Sequence, residues 1–201
     1  MITYSNIKSL PNVPFESYLK LDGFSHSFLK REVNGVAPYM EISDKMRLGS
    51  IVDGLLMQPN QVDIKDPQYS IAVKMAIEIK QTFGDLIKNF VSQMSYTGTA
   101  EHQGFKMPVC GRLDWLLPKH AVIDLKCTGA KNDKEFIAFI SHMGYHNQMF
   151  NYCGLSETKV AYIIPYSTTS KKCLSVVKIP IRPTNFFWAE KILKYGTCEG
   201  M

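Results

Sequence analysis

The sequence predicts an α/β fold, and three observations carry that expectation. Residues 111–128 hold two short apolar strands in succession. Helical apolar spacing occupies stretches both before and after them. Further strand-like segments then precede a closing helix.

The elements can be taken in chain order. Residues 1–60 read as helical and loop material, with Ser25-His26-Ser27 capping a short helix and a second helix over 43–57 that turns Ile51, Leu55 and Leu56 inward. Asp53 then projects from that helix toward the strands. Over 68–90 the apolar residues Ile71, Met75, Ile77 or Ile79, Phe83 and Ile87 keep helical spacing, with a break near Gly84. Strand patterns dominate next, at 90–99, 105–117 and 121–127, a meander whose first hairpin turns at Gly104. Residues 131–153 are helical, with Phe136, Phe139, Ile140 and Met143 at core spacing and a break at Gly144. Strands at 158–165 and 173–181 follow, then a helix from an N-cap at Thr184 through Tyr195. The chain thus reads as one domain over 1–201, mainly helical over 1–88, with the sheet core and the C-terminal helix over 89–201.

Chemistry concentrates in the two central strands. Side chains alternate across a strand, so in Ala121-Val122-Ile123-Asp124-Leu125-Lys126 the acid and the amine share one face while Ile123 and Leu125 take the other. Asp114 sits in the preceding strand, and the turn through Pro118-Lys119-His120 brings the two acids together across a hairpin. Facing carboxylates repel unless a cation lies between them, and hard ions such as Mg2+ or Mn2+ suit oxygen ligands. An Asp-x-Lys triplet by itself is most often a solvated strand edge. Apolar neighbours on both sides of this one argue instead for burial, where unpaired charge is expensive.

These residues carry a family likeness. Gly111-Arg112-Leu113-Asp114, Ile123-Asp124-Leu125-Lys126-Cys127-Thr128, Phe136, Gly144-Tyr145-His146-Asn147-Gln148 and Tyr152 together resemble the PD-(D/E)XK nuclease superfamily, and within it the RecE-like exonucleases of the exonuclease VIII type. The likeness extends upstream through Phe24–Lys30 and Leu48–Pro59, and so spans roughly residues 24–165. It implies a restriction-endonuclease-like core, a central mixed sheet flanked by helices, with catalytic residues Asp114, Asp124, Lys126 and Gln148. Metal ligands would be Asp53, Asp114, Asp124 and the Leu125 backbone carbonyl. Tyr145 and Tyr152 would line the site on the following helix, with Lys30 and Arg31 as candidate substrate contacts. Relatives place a histidine where Asp53 stands in Gly49-Ser50-Ile51-Val52-Asp53, and often a glutamate on the strand before Asp114, where Gln93 or Ser95 stands here.

The implied activity is Mg2+-dependent (or Mn2+-dependent) hydrolysis of DNA, as an exonuclease on linear double-stranded DNA in phage or prophage recombination. A single-strand annealing protein and a homo-oligomeric ring are expected partners on the same ground. Two other readings stay open, a degenerate nuclease fold that binds DNA or a recombination partner without cutting it, and an endonuclease of the same fold.

Composition is compatible with this. The 201 residues are 45% hydrophobic and 11% aromatic, enough for a substantial core, and the net charge of +5 gives weak support to a polyanionic partner. Five scattered cysteines without a Cys-x-x-Cys pair suggest buried free thiols and argue against zinc or an iron–sulfur cluster. With no signal segment and no long apolar run, no membrane contact is expected, and the expected compartment is the cytoplasm of a bacterium or phage-infected cell. His142 and His146, four apart, are taken as structural or surface residues, and His26 and His120 as loop residues within reach of DNA.

Overall fold

The computed structural model describes residues 1–11, 13–33 and 44–198, apart from the side chains of residues 31–33, 45 and 61. Its centre is an eight-stranded sheet. Six strands run in the order β1 (Thr3–Leu10), β2 (Val91–His102), β3 (Phe105–Leu117), β4 (Ala121–Thr128), β5 (Ala161–Ser167) and β6 (Lys172–Cys173), while β7 (Val177–Ile179) pairs with β5 and β8 (Thr197–Cys198) with β3. Every pairing is antiparallel except that of β4 with β5. The sheet is therefore mixed, as expected, and mostly antiparallel.

Helices cover both faces. The short α1 (Phe15–Tyr18) and α2 (His26–Val33) precede α3 (Asp44–Met57) and α4 (Tyr69–Phe83), and α5 (Asp133–Met143), α6 (Tyr145–Ser156) and α7 (Phe186–Tyr195) follow the central strands. One core joins Leu48, Val52 and Leu56 of α3 and Met75 and Ile79 of α4 to Trp115, Ile123, Leu125 and Ile164 of the sheet. The other joins Leu29, Phe136, Met149, Leu155 and Trp188 of the remaining helices to Val109, Leu113, Val122 and Ile163. Alternation along β4 and β5 makes this two-sided packing possible, because successive side chains point to opposite faces. No helix among the described residues is long and apolar enough to cross a membrane.

The N-terminal part departs from the expectation of helix and loop. Its first segment is β1, paired with β2. The strand escaped the pattern because Asn6 takes φ +52 and the register shifts between Ser5 and Lys8, so its apolar residues do not keep period two. Tyr4 on this strand packs its ring against α6 at Gly154, where a Cβ would overlap the ring. Only glycine allows that approach.

Most other boundaries agree with the sequence, with several corrections. Gln103 and Gly104, at φ +51 and +81, form the two-residue turn between β2 and β3. Asn185, not Thr184, caps α7 by accepting from the Trp188 N–H. Ile79 rather than Ile77 is the buried member of its pair, and Ile71 and Phe139 are exposed. The segment expected as one strand at 173–181 is split between β6 and β7. Cys198 is exposed, while Cys110 and Cys153 are buried as anticipated.

Candidate active site

Strand β4 crosses the middle of the sheet, and its parity places Asp124 and Lys126 on the α6 face while Ile123 and Leu125 enter the α3–α4 core. Asp124 is 1% exposed. The Lys126 ammonium stands 2.5 Å from its Oδ2 and 5.1 Å from the centre of the Tyr145 ring. The Lys126 ammonium is thus the partner of that Oδ2 in a short, charge-assisted contact.

Asp114 reaches the same place through a fault in β3. Leu113 belongs to the α6-side core and Trp115, two residues on, to the α3–α4 core, so strict alternation fails across Asp114. Opposite it Gln93 takes φ +55, and the Gln93–Asp114 pair is missing from an otherwise regular register. Such local distortions re-aim side chains beside active sites. Asp114 Oδ2 accepts from the Leu125 N–H at 3.1 Å, which ties it to the strand carrying Asp124.

Burial pushes the Asp124 carboxyl above the ordinary carboxylate range, and the charge of Asp114 adds to that while the Lys126 ammonium opposes it. For Lys126, burial works against the charged form, but the two carboxylates outweigh it and hold the lysine above its usual value. Tyr145 is raised, chiefly by burial, with Lys126 pulling the other way. Gln148 and Tyr152, one turn apart on α6, are bonded to each other, Nε2 donating to the phenol oxygen at 2.8 Å. The fields of Asp124 and Asp114 reach Tyr152 and, after burial, help raise it.

Asp53 projects from α3 toward the strands, as the sequence suggested. Its Oδ1 accepts from Trp115 Nε1 at 2.5 Å and its Oδ2 from Gln93 Nε2 at 2.6 Å. Burial pushes its carboxyl up to about 6, with Asp114 contributing, against the pull of Trp115, Gln93 and Arg112. Lys30 donates to the Met143 carbonyl at 2.8 Å, at the end of α5, so its ammonium already serves that helix terminus. The Arg31 side chain lies outside the described residues. Glu101 pairs with Lys106 at the remote end of the β2–β3 hairpin.

Three residues near the site were not singled out from sequence for the roles they play. Trp115 and Arg112 act through hydrogen bonds to partners distant in sequence. His26, expected in a loop within reach of DNA, is instead a buried first residue of α2, its ring 5.4 Å from that of Phe187. Burial first, then Lys30, Lys126 and His146, lowers its pKa to about 3. His142 and His146 are exposed on two helices separated by Gly144, which takes φ +69.

Among the described residues no three His, Cys, Asp or Glu side chains converge as a metal cluster. The Asp114–Asp124 pair nevertheless suits a hard cation: both offer carboxylate oxygens, and the charge of Asp114 raises the Asp124 carboxyl, a repulsion that a cation between them would relieve. Magnesium sites commonly use one or two carboxylates, completed by water and phosphate. A cavity of about 660 Å³ elsewhere, lined by Leu48, Ile71, Ile77, Glu78 and Tyr166, contains none of these residues.

No family model and no curated protein matches the chain. Among solved structures, the crystal structure of a protein from Eubacterium rectale named as an exonuclease is similar at a TM-score of 0.51, with 16% identity, covering 82% of this chain and 67% of that one. A phage-related exonuclease from Haemophilus somnus 129PT is a weaker likeness, with a TM-score of 0.36 and 14% identity over 93% of this chain and 88% of that one. The chain shares with the Eubacterium rectale protein a mixed α/β fold, a mostly antiparallel sheet flanked by helices.

Proposed function

We propose that the chain is a metal-dependent deoxyribonuclease, a RecE-like exonuclease that degrades linear double-stranded DNA from its ends and serves phage or prophage recombination in the cytoplasm. One observation carries the reading. Asp124 is held in the sheet interior with its Oδ2 against the Lys126 ammonium, beside a second carboxylate, so that three charged groups meet on one face. A fold that needed only stability would gain little from three charges collected at such desolvation cost. The exonuclease name of the Eubacterium rectale protein, whose fold the chain shares, is in keeping with it.

Asp114 and Asp124 would hold Mg2+ or Mn2+, together with the Leu125 backbone carbonyl. Bound there, the cation supplies Lewis acidity toward the phosphate and makes the attacking water a stronger acid. Lys126 places its positive charge where a non-bridging phosphate oxygen gains negative charge as water adds to phosphorus and the P–O ester bond breaks. Gln148, with Tyr152 fixing its amide, orients the water or the phosphate from α6. Tyr145 closes one side of the lysine and limits the positions its ammonium can take. A single-strand annealing protein and a ring of identical subunits belong to this proposal as partners.

The test is degradation of linear and covalently closed circular duplex DNA by wild type and Lys126→Ala, with and without Mg2+. Loss of linear DNA alone, dependent on both metal and lysine, is the expected result. Cutting of closed circles would make the protein an endonuclease, and binding without cutting in Mg2+ and Mn2+ would make it a degenerate nuclease fold.

A further inference from the structure

Close to Asp114 lies a third, half-buried carboxylate whose oxygens are already engaged. Asp53 accepts from Trp115 Nε1 on one oxygen and from Gln93 Nε2 on the other. The orientation of the Gln93 amide follows from its next neighbour. Arg112 Nε donates to Gln93 Oε1 at 2.7 Å, and because a guanidinium has donors only, the carbonyl must face it and the NH2 must face Asp53. Arg112 is itself anchored by the Val13 carbonyl at 2.6 Å and by the Phe15 ring 5.8 Å away. Arg112 thus donates to Gln93 and Gln93 to Asp53, while Trp115 donates to Asp53 from the other side, so each donor meets an acceptor.

Two consequences distinguish Asp53 from Asp124. Both Asp53 oxygens meet an N–H fixed by packed side chains, whereas Asp124 Oδ2 meets the end of a flexible lysine and Asp114 Oδ2 a single backbone N–H. Both donors also flank Asp114: Trp115 is its sequence neighbour, and Gln93 lies across from it at the gap in the ladder. The network therefore sets the backbone that aims Asp114 toward Asp124.

We propose that Asp53 is a positioning residue and not a cation ligand, and that the site consequently takes one divalent cation, between Asp114 and Asp124. The inference rests on the reading of the protein as a metal-dependent nuclease and fixes the stoichiometry of that site. A carboxylate oxygen has a second lone pair, so counting cations is the deciding measurement.

The experiment counts Mn2+ bound per chain by electron paramagnetic resonance in the absence of DNA, with thermal melting of the metal-free proteins as the control for folding. Wild type should take one Mn2+. Asp53→Asn should keep it with an affinity loss of no more than roughly 10- to 100-fold, clearly smaller than the loss at Asp114→Asn. Gln93→Glu replaces the donating amide by an acid oxygen beside Asp53 and should raise the count to two, an outcome that a purely structural role for the network does not produce. Two cations on wild type, or a loss at Asp53→Asn equal to that at Asp114→Asn, overturns the assignment and leaves the nuclease reading standing. A folded Gln93→Glu variant that still takes one overturns the claim that the amide is what withholds Asp53. No cation on folded wild type removes the metal-dependent reading as well.

Discussion

Half-buried Asp53 and fully buried Asp124 both lie near Asp114, and desolvation pushes both carboxyls above the ordinary range. Their surroundings differ. Asp53 has an N–H donor on each oxygen, drawn from a tryptophan and from a glutamine that an arginine holds in place. Asp124 has the Lys126 ammonium on one oxygen and a second acid beside it. Fixed neutral donors on both oxygens read as architecture, whereas a carboxylate gathered with a second acid and a lysine reads as a place kept for charged chemistry.

Substitutions can break or sharpen that contrast. The largest effect is expected for Asp124→Asn, which leaves the Lys126 ammonium without its partner at a cost of about 3–5 kcal/mol in urea denaturation of the metal-free protein. The same change should lower cleavage of linear DNA by roughly 100- to 10,000-fold, and retention of activity within tenfold would remove Asp124 from the chemistry. Next comes Trp115→Phe, which strips one donor from Asp53 and should cost about 1–3 kcal/mol while the Mn2+ count stays the same. A change in that count would erase the distinction between the two acids.

His26 extends the comparison to a buried base surrounded by positive groups. Its folded pKa of about 3 lies below the unfolded 6.5, so the unfolded chain takes up the proton first as the pH falls. Stability contributed at neutral pH is therefore lost on acidification, by about 2 kcal/mol between pH 7 and 5. In His26→Gln that part of the slope should vanish, and an unchanged urea midpoint profile would refute the assignment. The smallest effect, about 1 kcal/mol, is expected for Arg112→Lys, which forfeits the bond to Gln93 Oε1 and leaves Asp124 untouched.

Much of this was legible in the sequence because it is local. The alternation Val122, Ile123, Asp124, Leu125, Lys126 is enough to place acid and amine on one face, and the β4 packing agrees with it. Gly104 marked its hairpin and Gly144 its helix break for equally local reasons, since both take positive φ. What escaped depends on partners far along the chain. Strand β1 hides its periodicity in a bulge, and Gln93 gives no sign in sequence that Arg112 will decide which way its amide turns. The burial of His26 similarly follows from α7 reaching it through Phe187.

The one parallel strand pair among the described residues also has a temporal meaning. Strands β2, β3 and β4 follow one another through short turns, so their contacts close quickly. Strand β5 can join β4 only after α5 and α6 have carried the chain back across the sheet, and such non-local closure is slow. Until that crossover docks, Asp124 and Lys126 remain hydrated on an open strand. The β2–β3–β4 meander thus forms from local contacts, and its charges are desolvated only when the segments that follow it dock.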